Sequence, residues 1–386
     1  MHIAITTETW PPQVNGVAFT VHGLAHGLAQ RGHRIEVMRP GHDGRQAGVR
    51  VRVIGTRAAR LPHYSGLHFG LPGPLKLRKH WMACRPDVVY IATEGPLGLS
   101  ALRAATALGI PAVTGFHTRF DEYAAHYGLA WLKPLMRAHM MRFHRRSQAT
   151  IVPTQALAEE LRSEGIPHAL RLRRSVDAAS FSPLRRDPAL RSAWRASEET
   201  PVALYVGRMA AEKNIGLAIR AFRTLQARIP GARMVLVGNG PARAGLVADN
   251  EDLIFTGELR GEDLARHYAS ADMFLFPSLT ETFGNVVLEA MASGLALVAF
   301  DAAAAAEHVA NGTSGLIVPV HDARGFVART FELGLDPELR ATLGINARIA
   351  IQRLTPEAAI ADFESLLCRL CREQAHGQQV VAAAHA

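Results

Sequence analysis

Short apolar runs alternate with stretches of helical periodicity along this 386-residue chain, and the alternation restarts once. In the first half Ile3–Thr6 reads as a strand, Val17–Gln30 as a helix, Arg31-Gly32-His33 as a turn and Ile35–Met38 as the next strand. Asp87–Ile91, Ala112–Gly115 and Thr150–Pro153 are further apolar runs, each before a helical pattern. Short buried strands separated by helices imply a parallel sheet, because parallel neighbours need crossover connections. The pattern begins again with strand Val202–Val206, helix Ile215–Ala227 and strand Arg233–Val237. It continues through Leu253–Phe255, Met273–Phe276, Leu297–Ala299 and Leu316–Val318. The fold class is therefore α/β, with two domains in tandem.

Ser182-Pro183 and Asp187-Pro188 interrupt the periodicity between residues 175 and 200. The expected domains are 1–178 and 179–365, with 366–386 the end of a last helix and a loose tail. That last helix, about 356–373, is expected to pack back on the first domain.

Composition excludes several classes. At 48% hydrophobic and 20% charged residues the chain is neither disordered nor fibrous. The three cysteines cannot form a disulfide framework, which points to a reducing, cytoplasmic setting. Cys368 and Cys371 lack the second pair a zinc site needs and read as ordinary helix residues. No apolar run reaches the roughly 18 residues of a membrane span, and the N-terminus does not read as a signal peptide. Charge is asymmetric: residues 1–175 carry 23 Lys/Arg against 10 Asp/Glu, and residues 176–386 carry 20 against 24. A basic first half suits an anionic partner, nucleic acid or membrane surface.

Four segments could carry chemistry. In Pro277–Gly294 (PSLTETFGNVVLEAMASG), Glu281 falls in the loop before a helix starting at Asn285, and Glu289 inside that helix. A helix N-terminus after a strand suits a phosphate, whereas carboxylates there suit sugar hydroxyls. Spacing alone favours two solvated glutamates, since paired glutamates are common. Gly207–Asn214 (GRMAAEKN) puts Arg208 and Lys213 beyond the carboxyl end of a strand, where an α/β sheet binds ligands. Two such cations would neutralise a diphosphate leaving group, or simply form an exposed basic loop. Asn15-Gly16 in the first strand–helix turn allows φ > 0 and close backbone approach. His117 follows strand Ala112–Gly115 at another strand end. Gly238-Asn239-Gly240-Pro241 is not a dinucleotide fingerprint, since Arg243 replaces the third glycine.

In order, NGV near the start, TGFHT, GRMAAEKN, VGNGP and ETFGNVVLEAMASG are similar to the GT4 family of retaining glycosyltransferases. The opening TETWPPQVNGVAFTVHGLAHGLAQRGHRIEVMRP resembles the branch of GDP-mannose-dependent mannosyltransferases and sulfoquinovosyl- and glucosyl-lipid synthases. The resemblance covers roughly residues 1–365. It implies the GT-B fold, two Rossmann-like domains facing across a cleft, and a nucleotide-diphosphate sugar held mainly by the second. It also implies Arg208 and Lys213 on the diphosphate, Glu281 on the transferred sugar, Glu289 on the ribose and His117 near the sugar. Phe283, Gly284, Asn285 and Val286 would meet sugar and phosphate through their backbone. Gly257 to Leu259 would border the base, and Gly16 would let a loop close on the diphosphate. Retention is then same-face displacement through an oxocarbenium-like state, with no metal or other cofactor. Ser175-Val176-Asp177 stands where the family commonly has Gly-Val-Asp, so a left-handed φ there would strain the hinge at Ser175. Ala302–Ala306 replaces a glycine-containing turn before Glu307.

Arg57–Trp81 is a Pro/Gly-broken loop with Leu61, Tyr64, Leu67, Phe69 and Leu71, running into Lys76, Arg78 and Lys79. Gly128–Arg146 is a helix with Leu132, Leu135, Met136, Met140 and Phe143 beside Lys133, Arg137 and Arg142. A basic amphipathic surface points to a lipid acceptor at the inner face of an anionic membrane, or to an ordinary core-facing helix. Rival functions are a GT-B sugar-nucleotide epimerase, a non-catalytic nucleotide-binding module, or transfer to a soluble acceptor. No recognition helix or aromatic platform supports nucleic acid.

Overall fold

The computed structural model describes residues 1–13, 15–41, 44–45, 51–60, 68–71, 73–119 and 130–384. They form two units, Met1–Arg174 with Pro356–Ala386, and Ser175–Thr355.

The sheet of the first unit runs in the order Ala169–Arg171, Ala149–Val152, Ala112–Gly115, Val88–Ile91, His2–Thr6, Arg34–Pro40, Val51–Thr56, Gly44–Arg45. All neighbours are parallel except the last pair. Ile3 stands opposite both Val88 and Ile35, so the first strand is central and its residues Ile3, Ala4 and Ile5 are fully buried. A strand covered on both faces is apolar throughout instead of alternating. That is why it was legible as a run.

The second unit holds six parallel strands in the order Ile254–Gly257, Arg233–Val237, Val202–Val206, Met273–Phe276, Ala296–Phe300, Leu316–Val318. Numbered along the chain this is 3-2-1-4-5-6, a doubly wound Rossmann order. Its core joins Val202–Val206 to the buried faces of helices Ile215–Arg228 and Asn285–Ala292 through Phe222, Leu225, Leu288 and Met291.

Several expectations need correction. Arg57–Trp81 is not one loop: Ala58–Arg60 pairs antiparallel with His68–Gly70, and Pro74–Ala83 is a helix. Pro74, read as a breaker, sits in the first turn, where a missing N–H costs nothing. Ser182 and Asp187 are N-caps of the short helices Pro183–Arg185 and Pro188–Ala193. The helix divided at residue 365 is continuous, Pro356–Ala384, and belongs whole to the first unit, with Phe363, Leu366, Leu367 and Leu370 in that unit's core. Residues 374–384 are thus helical, not a loose tail.

Ser175 is not among the residues with positive φ, so the expected hinge strain is absent. The strain lies in the other substituted segment, where Ala303 has φ 50°. Among the described residues no helix is long and apolar enough to cross a membrane.

Candidate active site

In a doubly wound sheet, ligands bind beyond the carboxyl ends of the strands at the point where chain order reverses. In the second unit that point lies between Val206 and Phe276, so Gly207–Asn214 and Pro277–Gly284 border it. The two loops are joined: Leu279 N donates to Glu212 O at 3.0 Å. Beside this link Lys213 Nζ pairs with Glu281 Oε1, their side chains only 10% and 15% exposed. Desolvated charges of this kind persist only when matched.

Arg208 is exposed, and its loop is held from beneath. Gly207 N donates to Val237 O (3.0 Å) and Met209 N to Asn239 O (2.8 Å). A Cβ on Gly238 would stand 1.9 Å from Gly207 O, and Gly238 itself has φ 138°. Only glycine meets both conditions. The turn Gly238-Asn239-Gly240-Pro241, which matches no dinucleotide fingerprint, is therefore the support of the Arg208 loop. Two glycines one residue apart directly after a strand were the available signal. Gly257 ends its strand and accepts from Gly238 N at 2.7 Å, and Leu259 is half-buried against the core.

Helix Asn285–Ala292 begins after Gly284, whose φ of 88° turns the chain out of the preceding loop. No side chain caps this helix and no acidic residue lies in its first turn, so its leading N–H groups suit an anion. Asn285 and Val286 form that first turn. Phe283 is buried, edge-on to His308 at 5.9 Å, and its carbonyl accepts from Ala304 N at 2.8 Å. One turn further, Glu289 Oε2 accepts from Tyr268 Oη at 2.9 Å. Burial raises the Glu289 carboxyl to about 7, against the opposing effect of the Tyr268 hydrogen bond.

The first unit holds His117 two residues beyond Ala112–Gly115, the third strand from the Ala169–Arg171 edge of its sheet. Arg174 Nη2 donates to His117 Nδ1 at 2.8 Å, and Arg174 has no acceptor to offer. The neutral ring therefore carries its proton on Nε2, which donates to Tyr90 Oη at 2.5 Å. Burial, then Arg174 and His144, hold His117 well below the ordinary histidine range. Arg174 Nη1 also donates to Thr20 Oγ1, and Thr20 to Gly16 O, at 2.8 and 2.7 Å. Gly16 is the first residue of helix Gly16–Gln30, and Asn15 is its extended N-cap at φ −159°, accepting from Ala18 N. The left-handed turn that Asn15-Gly16 would allow does not form. A capping asparagine removes the need for it.

Of the acceptor residues, Tyr64 lies outside the described ones, as do Leu61 and Leu67. Arg57 is exposed at the base of the hairpin, where its carbonyl accepts from Leu71 N at 2.8 Å. Lys76, Arg78 and Lys79 are exposed on helix Pro74–Ala83, with Leu75 and Met82 78% and 68% exposed beside them. Arg137 differs from expectation. It pairs with Glu160 (3.0 Å) and Glu164 (2.5 Å), in a cluster that also takes Arg119, so its charge is consumed within the fold. The helix, Lys133–His144, buries Met140 and Phe143 and leaves Leu135 exposed, as is Trp131 before it.

Sequence reasoning did not find Arg174, Tyr90, Tyr268 or Glu8. Glu8 is partly buried and accepts from Leu97 N (2.9 Å) and Gly70 N (2.5 Å), filling the N-terminus of helix Pro96–Leu108 with the chain's own carboxylate. These roles depend on partners 21 to 154 residues away, for which a single sequence gives no signal. Among the described residues no cluster of His, Cys, Asp and Glu could hold a metal ion.

Two family models match the chain. "Glycosyltransferase Family 4" covers residues 14–173, and "Glycosyl transferases group 1" covers residues 200–336. A GDP-mannose-dependent alpha-mannosyltransferase of Mycobacterium tuberculosis is 34% identical over 331 residues, 83% of this chain and 84% of its own length. An alpha-monoglucosyldiacylglycerol synthase of Acholeplasma laidlawii is 27% identical, covering 95% of this chain and 96% of its own. The sucrose-phosphate synthase of Thermosynechococcus elongatus shares the fold at a TM-score of 0.78 and 20% identity, over 95% of this chain and 98% of the other.

Proposed function

This chain belongs to the family 4 glycosyltransferases of GT-B fold, and on that premise we propose that it is a retaining enzyme moving a hexose from a nucleoside-diphosphate sugar to a membrane glycerolipid. The observation that carries the reading is the Lys213–Glu281 pair beside the uncapped start of helix Asn285–Ala292. A cation, a carboxylate and open backbone N–H groups within one strand-end cluster match a diphosphate joined to a polyhydroxylated ring.

In this reading Lys213 and Arg208 meet the diphosphate, with Asn285 and Val286 N–H groups on its oxygens. The carboxylate of Glu281 accepts from the sugar hydroxyls, and Glu289 accepts from the ribose diol. Phe283 and Gly284 line the sugar through their backbone, and Gly257 and Leu259 border the base. The bond from C1 to the diphosphate oxygen breaks as the acceptor oxygen bonds to C1 on the same face. The acceptor's proton passes to the departing phosphate. Charge stabilisation of that leaving group is the enzyme's main contribution, and two cations with a helix N-terminus supply it without a metal or other cofactor.

Two relatives support the choice of substrates, one named for GDP-mannose and one for diacylglycerol. The first unit adds exposed Leu75, Met82, Trp131 and Leu135 among Lys76, Arg78, Lys79, Lys133 and Arg142. Exposed apolar side chains interspersed along the chain with cations suit the inner face of an anionic membrane. Titration with GDP and UDP in the presence of a chelator, followed by transfer assays from GDP-mannose and UDP-glucose to diacylglycerol vesicles, tests the reading. An α-linked glycolipid from an α-linked donor is expected. Binding of neither nucleotide would sink it. Donor turnover with no glycosylated product would favour an epimerase or a hydrolase.

A further inference from the structure

Tyr268 stands apart from every residue so far given a part in transfer. Its ring is fully buried on helix Gly261–Ser270, edge-on to Phe181 at 5.6 Å and tilted against Phe274 at 5.9 Å. Two aromatic neighbours leave the ring little rotational freedom. Its hydroxyl therefore points one way, to Glu289 Oε2 at 2.9 Å, with Val286 O further off at 3.5 Å. Glu289 projects from the same short helix whose N-terminus faces the strand-end cluster. A glutamate has three side-chain torsions, and an unsupported carboxylate at such a place would sample several positions.

We infer that Tyr268 is the positioning residue for Glu289: it engages Oε2 and so presents Oε1 as the acceptor for a vicinal diol of the bound nucleotide. This rests on the reading of Glu289 given above. The arrangement separates two tasks. Glu289 touches the ligand, and Tyr268 touches only Glu289. A locked phenol donating to one oxygen leaves one oxygen with fixed lone-pair directions, the geometry a cis-diol needs. A buried tyrosine also needs a partner for its own hydroxyl, so a purely structural bond is the alternative.

Nucleoside-diphosphate affinity, measured by calorimetry from pH 6 to 8.5, separates these. Glu289 lies near 7 because of burial, and the Tyr268 hydrogen bond opposes that rise. Losing the donor moves ionisation upward. The Tyr268→Phe variant is expected to bind GDP or UDP roughly fivefold more weakly at pH 7, with most of the loss recovered at pH 8.5. Glu289→Gln should bind weakly at every pH, and the double variant no more weakly than Glu289→Gln alone. Tyr268→Phe affinities that follow wild type across the range, with Glu289→Gln still impaired, overturn the inference but leave the site reading intact. Multiplying losses in the double variant also overturn it. Wild-type affinity in Glu289→Gln removes the site reading itself. If Tyr268→Phe fails to fold, 3-fluorotyrosine at position 268 carries the test in the opposite direction: its stronger donation should move the acid limb to lower pH, and an unmoved limb is the overturning result.

Discussion

Lys213 and Glu281 lie 68 residues apart in sequence and are paired side chain to side chain at the one point of the second sheet where chain order reverses. Each neutralises the other. On the proposed reading, a donor diphosphate draws the ammonium toward its own charge while the carboxylate turns to hydroxyls. On that reading the pair is both a folding contact and part of the donor site.

Separating the two roles gives the first prediction. Lys213→Met keeps the volume but leaves the Glu281 carboxylate unmatched, and should cost about 3 kcal/mol of stability in denaturant unfolding. Lys213→Met/Glu281→Gln should recover most of that loss, because no charge is stranded. Turnover should fall by about 10²–10³ in both variants, since leaving-group stabilisation is absent from each. A double variant that regains activity would remove Lys213 from the chemistry.

The glycine support of the Arg208 loop gives a second. Gly238→Ala places a Cβ 1.9 Å from Gly207 O at a φ of 138°. Both backbones must move, at a cost of about 2 kcal/mol or more. Nucleotide affinity should drop with it, because Gly207 N and Met209 N are tied to the same turn through Val237 and Asn239. Gly231→Ala, with open space at its Cβ and no positive φ, is the control and should leave both quantities near wild type.

These two cases also show what the chain displays locally and what it hides. Strands such as Ile3–Thr6 and Val202–Val206 were legible because burial on both faces makes them apolar throughout. Val51–Thr56 was missed: it alternates with Arg52 and lies near the sheet edge, where one face is solvated. The segment 281–294 was legible because its loop, helix start and second glutamate fall within one local stretch. Arg174 on His117 and Tyr268 on Glu289 were not: the first joins segments that follow two strands and the second joins two helices, and tertiary packing fixes both. Arg137 was misread for the same reason, its acidic partners lying 23 and 27 residues further on.

Glu289 carries a pH signature in stability as well as in binding. Its folded value, raised by burial to about 7, exceeds the ordinary 4.5, so the folded state holds a proton more tightly than the unfolded chain. The group's contribution to stability is complete below about 4.5 and is lost as pH rises through about 7. Glu289→Gln cannot ionise and escapes that loss. Its melting temperature relative to wild type should climb between pH 5 and pH 7.5 and level off above. A flat difference across that range would mean the carboxylate is solvated. The same variant should bind nucleotide poorly, the usual exchange of stability for a functional group.

The last prediction concerns the strained alanine. Ala303 sits at φ 50° directly after Ala302, the N-cap of helix Ala303–His308. A left-handed conformation costs an L-residue with a Cβ about 1–2 kcal/mol, while glycine's larger unfolded-state freedom returns about 0.5–1 kcal/mol of that. Ala303→Gly should thus stabilise the protein by about 0.5–1 kcal/mol in denaturant unfolding. The adjoining contact, Ala304 N to Phe283 O at 2.8 Å, connects this turn to the loop before helix Asn285–Ala292. If strain at Ala303 serves to press that contact, the variant will be more stable yet bind nucleotide less tightly. If the strain is incidental, stability will rise with affinity unchanged. A destabilised variant would mean that the Ala303 methyl makes a packing contribution larger than its backbone cost.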